Sequence, residues 1–128
     1  MAQTSENTKK ILIVEDDEDF SYILQKKFEA EGFSVIIAKD GEEGAMAAEK
    51  EKPDLILSDM LMPKMDGLAM AKKIKEVHVN APIIFLTNIK NTAHAGDGQT
   101  MDNIDYLIKS DTRIDDIVAK SKIKLGIK

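Results

Sequence analysis

The chain has 128 residues, which fits a single domain large enough to fold without a disulfide or a structural metal. It contains no cysteine, which excludes thiol catalysis, cysteine-based zinc sites and a disulfide framework. Acidic residues outnumber basic ones by 23 to 18, which argues against direct binding to nucleic acid or to an anionic membrane surface. The start MAQTSENTKK is too polar for a signal peptide, and no apolar run approaches the roughly 20 residues that span a bilayer. We therefore expect a cytoplasmic chain.

The first part of the chain alternates two predicted strands with two predicted helices. Ile11–Val14 is uniformly apolar, as is typical of a strand covered on both faces. Apolar residues then recur at helical spacing and form a stripe: Phe20, Ile23, Leu24 and Phe28. Ser34–Ala38 is the second predicted strand. Asp40, with Glu43 three residues further on, predicts a capping box at the start of the second helix.

The second part of the chain repeats this alternation. Three further strands are predicted at Asp54–Ser58, Ile83–Leu86 and Asp105–Ile108. Asp66 is expected to cap a helix between the first two of them, and Ser110 or Asp111 to cap the last helix. Asn91–Asn103 contains two glycines and little large apolar surface, so we expect a short or frayed helix there.

Five strands that alternate with helices predict an α/β fold with a doubly wound parallel sheet in a single domain. Sites in such sheets lie beyond the carboxyl ends of the strands. The residues at these ends include three carboxylates, a hydroxyl and an ammonium, carried by Glu15, Asp16, Asp59, Thr87 and Lys109. We therefore expect these groups to meet at one edge of the sheet.

This combination of groups predicts phosphate chemistry. Three carboxylates held close together repel one another, and Mg²⁺ binds oxygen ligands of this kind while it bridges them to a phosphoryl group. A lysine supplies a positive charge for phosphate oxygens, and an aspartate can itself be the nucleophile that becomes phosphorylated. The pattern therefore predicts Mg²⁺-dependent phosphoryl transfer onto an aspartate.

The segments ILIVEDDED, DLILSDMLMPKMDG, IIFLT and DYLIKS, in this order and spacing, resemble the receiver domain of bacterial two-component response regulators. The resemblance implies a flavodoxin-like (βα)5 fold with strand order 2-1-3-4-5 over residues 10–128, preceded by a polar tail over residues 1–9. It also implies a signalling phosphoacceptor and not an enzyme that acts on other substrates. The partners so implied are a sensor histidine kinase or a histidine phosphotransfer protein, and a downstream protein target.

The resemblance assigns the metal site residue by residue. Asp59 matches the phosphoacceptor, which also contributes to the Mg²⁺ site. Asp16 matches the residue that binds Mg²⁺ directly, and Glu15 matches the one that holds a metal-bound water. Leu61 would contribute only its backbone carbonyl oxygen to the metal.

Three further residues match positions that respond to phosphorylation in the family. Thr87 and Lys109 would contact the phosphoryl oxygens, and Tyr106 matches the aromatic switch position on the fifth strand. The family usually follows its lysine with a cis proline, whereas this chain has Ser110, for which we expect a trans peptide bond because a non-proline cis bond costs about 2.5–4 kcal/mol. Asn88 replaces a small residue and would narrow the access to Asp59.

Three other classes of protein share part of this pattern. A pseudo-receiver, which has the fold and binds a partner without productive phosphorylation, stays open because of Asn88 and Ser110. A haloacid-dehalogenase-type phosphatase is disfavoured because its D-x-D-x-T signature is absent. A flavodoxin is disfavoured because the first loop is acidic where the FMN phosphate needs hydroxyl and N–H donors. The given sequence ends at or just after the last predicted helix, and we expect it to be either a stand-alone protein or an excised domain.

Overall fold

In the computed structural model, residues 8–62, 65–87 and 104–127 are described. Their strands are β1 (Lys10–Val14), β2 (Ser34–Ala38), β3 (Leu55–Asp59), β4 (Ile83–Thr87) and β5 (Ile104–Ile108). The helices among the described residues are α1 (Glu18–Ala30), α2 (Gly41–Glu51), α3 (Gly67–Glu76) and α4 (Ile114–Lys124). None of these helices has the length and apolar character needed to cross a membrane. The expectations for Asn88 and for Asn91–Asn103 lie outside the described residues.

The five strands form one parallel sheet in the order β2-β1-β3-β4-β5. This confirms the predicted flavodoxin-like α/β fold. The central strands β1, β3 and β4 are buried along almost their whole length, whereas the edge strands β2 and β5 are partly exposed. Continuous apolar runs of β-branched residues and leucine form the central strands because helices cover both faces there.

Alternate residues of each central strand point into two separate cores. The core on the α2 and α3 side includes Leu12, Val14, Ile56, Met70, Ile74 and Phe85. The core on the α1 and α4 side includes Ile11, Ile13, Leu24, Phe28, Leu57, Ile84 and Ile117. Alternate strand residues therefore pack against the apolar stripes of the helices on either face, as the sequence predicts.

Aspartate side chains cap the first three helices. Asp17 Oδ1 accepts a hydrogen bond from the N–H of Phe20 at 3.2 Å, and Asp66 Oδ1 accepts one from that of Ala69 at 2.9 Å. The cap predicted at Asp40 is confirmed, since its Oδ1 accepts from the Glu43 N–H at 2.8 Å. The carboxylate of Glu43 reaches back to the N–H of the residue before the cap, Lys39, at 3.1 Å.

Two local predictions were wrong. The N-cap position of the last helix is Arg113 and not Ser110 or Asp111, because the helix begins at Ile114 and those two residues belong to a 3₁₀ turn (Lys109–Asp111). Asp116 Oδ2 accepts instead from the backbone N–H of Arg113 at 3.3 Å. The third strand begins and ends one residue later than predicted, so that Asp59 is its last residue. The described residues contain no cis peptide bond, which confirms the trans bond expected before Ser110.

The apolar stripe of α1 also differs from its prediction at one position. Ile23 is 50% exposed, and the buried side chains of this helix are Ser21, Leu24 and Phe28. These three follow the i, i+3, i+7 spacing of one helix face, and Ile23 is rotated away from it. Ser21 is tolerated in the buried face because its hydroxyl donates to the backbone carbonyl of Glu18 at 3.1 Å.

Candidate metal and phosphoacceptor site

Three carboxylates meet at the carboxyl edge of the sheet. Val14, the last residue of β1, pairs with Ser58 in β3, so the residues that follow on both strands emerge side by side. A carboxylate oxygen from each of Glu15, Asp16 and Asp59 lies within 4.8 Å of the other two. The structure thus brings together the three acidic residues that the strand ends predicted, which is the arrangement expected of a divalent cation site.

Glu15 is the buried member of this cluster. Its side chain is 2% exposed, and its backbone N–H donates to the carbonyl oxygen of Ala38 on β2 at 3.0 Å. Its Oε2 accepts from the N–H of Asp17 at 3.1 Å, and its Oε1 accepts from Lys109 Nζ at 2.9 Å. Because both carboxylate oxygens are already engaged, Glu15 is suited to an indirect role at a metal, as the resemblance implied.

Burial and the charge of Lys109 have opposite effects on the pKa values of the carboxyl groups in this cluster. Burial raises the pKa of Asp59, and the negative charge of Asp16 raises it further, whereas the positive charge of Lys109 and the N–H groups of Met60 and Leu61 lower it. Burial likewise raises the pKa of Glu15, while its hydrogen bonds from Lys109 and Asp17 lower it. The site therefore carries unfavourable negative charge that a bound cation relieves.

The exposures of the acidic residues fit the division of roles at a metal. Asp16 is exposed and Asp59 is partly exposed, so both can offer an oxygen to an ion that arrives from solvent. Leu61, two residues beyond Asp59, has a side chain that is 56% exposed beside the cluster. Hard oxygen donors with room for retained waters are the donor set that Mg²⁺ binds.

Thr87 and Lys109 lie at the same edge on the β4 and β5 side, and Tyr106 lies in the middle of β5. Thr87 is the last residue of β4, one position beyond the pairing of Asp59 with Leu86, and it is buried. Tyr106 lies on β5 with its ring 5.6 Å from that of Phe85 on β4. The structure therefore places Thr87 on β4, next to β3, and it places Tyr106 and Lys109 on β5 and in the turn that follows it, one strand further out.

Two residues of this region were not predicted to belong to it. The ring of Phe20, assigned only to the helix stripe, lies below Lys109 Nζ, which is 4.4 Å from the ring centroid. Ser58 is buried, and its hydroxyl donates to the backbone carbonyl of Asp59 at 2.7 Å. Ser58 could have been singled out because it is a polar residue in an otherwise apolar strand, directly before Asp59. Phe20 could have been singled out because it lies in the first helical turn after the acidic residues.

The strand order and the acidic cluster at the strand ends define a flavodoxin-like receiver fold. The family model for the response regulator receiver domain matches residues 11–121, and the chain therefore belongs to this family. One curated relative is the alkaline phosphatase synthesis transcriptional regulatory protein PhoP of Bacillus subtilis, 46% identical over 79 residues. That match covers 62% of this chain and 33% of the relative, so the chain spans only part of such regulators.

Solved structures give the same family. A two-component response regulator from Clostridium difficile superposes with a TM-score of 0.85 at 30% identity, covering 93% of this chain and 97% of that one. The response regulator protein TrrA from Thermotoga maritima, in complex with Mg(2+)-BeF, superposes with a TM-score of 0.79 at 28% identity. This second match covers 91% of this chain and 99% of that chain.

Proposed function

We propose that this receiver domain accepts a phosphoryl group onto Asp59 with the help of Mg²⁺ and thereby switches a protein partner. The donor is the phosphohistidine of a sensor kinase or of a histidine phosphotransfer protein, and the reaction takes place in the cytoplasm. The observation that carries the proposal is the cluster of Glu15, Asp16 and Asp59 within 4.8 Å, with Lys109 bound to its buried member.

The chemistry is a phosphoryl transfer between two side chains. A carboxylate oxygen of Asp59 forms the new O–P bond as the N–P bond of the donor histidine breaks, and the imidazole leaves with its electron pair. Such transfers pass through a loose transition state, so positioning and charge neutralisation supply most of the catalysis. Asp59 is held at the end of a buried strand, and the hydrogen bond from Ser58 to its carbonyl fixes the backbone there.

The residues present fit a bound Mg²⁺. Asp16 and Asp59 would hold it directly, Glu15 would hold one of its waters, and the carbonyl of Leu61 would complete the protein ligands. When bound, the ion supplies positive charge to the carboxylates and to the oxygens of the transferred group. This role agrees with the raised pKa of Asp59 and of Glu15, since burial takes both carboxyl groups away from the solvent that would stabilise their charge.

Lys109 and Thr87 serve the phosphoryl group itself. The side chain of Lys109 is 15% exposed and its ammonium already lies in the site, so it can donate to a phosphoryl oxygen after a short movement away from Glu15. The hydroxyl of Thr87 donates to a second oxygen, and Tyr106 on the neighbouring strand follows that change. The domain catalyses only its own phosphorylation and dephosphorylation, and so it is a signalling phosphoacceptor and not an enzyme with its own substrate.

Intact-mass measurement after incubation with acetyl phosphate and Mg²⁺ tests this proposal. The parent is expected to gain one phosphoryl mass, and the Asp59→Asn variant none. Asp115→Asn is the matched control, because Asp115 is exposed on α4 and pairs with Lys27 at 2.8 Å, away from the cluster.

Two results would contradict the proposal. Labelling of Asp59→Asn to the extent of the parent would place the phosphoacceptor elsewhere. A parent that folds, binds Mg²⁺ and still gains no mass would favour the pseudo-receiver, an interaction module with this fold.

A further inference from the structure

Lys109 reaches the acidic cluster from an edge strand that is not adjacent to β1 or β3. It follows β5, an edge strand, whereas Glu15 follows β1, and β4 and β3 lie between them. Its Nζ nevertheless lies 2.9 Å from Glu15 Oε1. A long lysine side chain loses rotamer freedom when it is held in one such position, so the position needs contacts that stabilise it.

Two contacts hold the ammonium, and they differ in kind. The bond to Glu15 is an ion pair with a buried carboxylate, whereas the ring of Phe20, 4.4 Å from Nζ to centroid, attracts the cation through its quadrupole. A carboxylate competes with a phosphoryl group for the same N–H donors. An aromatic face carries no net charge, so it can keep the ammonium in the site while those donors turn toward another acceptor.

The ring of Phe20 is itself well anchored. Its backbone N–H donates to the capping side chain of Asp17 at 3.2 Å, and its side chain packs against the core that contains Leu24 and Ile117. Asp16, the exposed carboxylate of the cluster, lies just before the same helix start. The first turn of α1 therefore fixes the ring relative to the acidic residues.

We propose that Phe20 is a positioning residue that holds Lys109 at the phosphoacceptor site through a cation–π contact. The residue after Lys109 is Ser110, and the peptide bond between them is trans. The ring of Phe20, on α1, restricts the position of the Lys109 ammonium. The consequence for the rate of phosphorylation rests on the proposed function, whereas the position of the lysine does not.

The position is tested by NMR of protein labelled with ¹³C-lysine. The ring current of Phe20 is expected to shift the ε-methylene signal of Lys109 upfield, and Lys109→Arg identifies that signal by its loss. Phe20→Leu should return the signal to the range of exposed lysines, and Phe20→Tyr should restore the shift. Phe33→Leu is the matched control: Phe33 lies in the same core, with its ring 5.5 Å from that of Phe28.

The rate of labelling by acetyl phosphate is measured on the same variants. Phe20→Leu should label about three- to tenfold more slowly than the parent, in line with the strength of a partly desolvated cation–π contact. The Mg²⁺ affinity of this variant should be unchanged, whereas a general disturbance of the site would lower it. Phe20→Tyr should recover the rate, and Phe33→Leu should label at the rate of the parent.

The outcomes separate this inference from the proposed function. A Lys109 signal that is unshifted in the parent, or that is unchanged in Phe20→Leu, overturns the inference. So does a labelling rate equal to that of the parent in a Phe20→Leu variant whose lysine signal has moved. A parent that gains no phosphoryl mass overturns the proposed function alone, because the NMR comparison needs no phosphoryl donor.

Discussion

β1 and β5 both deliver residues to the same edge of the sheet, but the two strands are packed differently. Ile11 through Val14 of β1 are fully buried, with β2 on one side and β3 on the other. Every residue of β5 is only partly buried, and β5 pairs with β4 alone among the described strands. The acidic residues are thus carried by the best packed part of the sheet, and the lysine and tyrosine by one of its edges.

This difference suits the two tasks of the site. Carboxylates that share a cation need fixed geometry, and a central strand between two cores provides it. On the proposed function, the residues that respond to a phosphoryl group must move when it arrives, and less buried elements open at lower free-energy cost. A single parallel sheet would then combine a rigid acceptor at its centre with a movable response side at its edge.

The largest expected effect compares leucines on the two parts of the sheet. Leu57 in β3 is fully buried, and Leu107 in β5 packs from the partly buried edge against the same core. Leu57→Ala should lower the free energy of unfolding by about 3–5 kcal/mol, and Leu107→Ala by about 1–2 kcal/mol, since less apolar area is lost there. Urea denaturation of both variants measures the difference, and equal losses would remove the contrast between centre and edge.

Gly67 tests how tightly the start of α3 packs on β4. A Cβ at this position would lie 2.5 Å from Phe85 Cε1 and 3.1 Å from Met60 Cα. Gly67→Ala is therefore expected to cost about 1–3 kcal/mol of stability through overpacking. The loss is measured by urea denaturation.

The control for this prediction is a double-mutant cycle. Phe85→Leu should recover part of the loss in Gly67→Ala, because it removes the clashing ring. It should recover nothing in Gly32→Ala, whose cost comes from a φ of 95° with no atom within 4 Å of the added Cβ. If the losses of stability in Gly67→Ala and Phe85→Leu simply added, the start of α3 would be able to move away from the ring of Phe85.

Metal binding should depend on the central part of the site and not on its edge. Asp16→Ala is expected to weaken Mg²⁺ binding at least about tenfold, which corresponds to about 1.4 kcal/mol. Lys109→Gln should not weaken it, since the substitution removes a positive charge from the neighbourhood of the ion. Isothermal titration with Mg²⁺ measures both, and loss of affinity in Lys109→Gln alone would reverse the assignment.

The smallest expected effect is the pH dependence of the metal-free chain. Burial raises the pKa of Asp59, so the folded chain binds this proton more tightly than the unfolded chain. The stability of the fold therefore decreases as the pH rises from the ordinary pKa of an aspartate through the raised one. Asp59→Asn should be more stable than the parent at neutral pH, and this advantage should disappear at acidic pH.

Asp115→Asn provides the opposite sign for comparison. The hydrogen bond and charge of Lys27 lower the pKa of Asp115, so its contribution is present at neutral pH and is lost as the pH falls. Urea denaturation at a series of pH values without metal checks both variants. If Asp59→Asn gained no stability at neutral pH, burial would not be the dominant influence on that carboxyl group.

The fold and the acidic cluster were predictable because their signals are local. The strands β1 and β4 can be predicted from their uniformly apolar runs alone, without knowing which strands lie beside them. The caps at Asp40 and Asp66 depend only on residues three positions away. Parallel strands then bring their ends to one edge, which was enough to place the carboxylates together.

The remaining features depend on packing between distant segments. Ser110 and Asp111 are good capping residues by type, but the chain turns once more before α4, so Arg113 takes the N-cap position. The contact of Lys109 with Phe20 joins the first helix to the end of the last strand, and no spacing along the sequence encodes it. The roles of the site residues stay predictions until the labelling experiments are done.

The stacking of Tyr106 on Phe85 gives the protein a built-in optical reporter. The chain has no tryptophan and two tyrosines, so its ultraviolet emission comes from Tyr106 and from Tyr22, which is 58% exposed on α1. Tyr22→Phe should leave Tyr106 as the single emitter, next to the strand that carries Thr87. Activation of the domain could then be followed in real time without a dye, an added fluorophore or a partner protein.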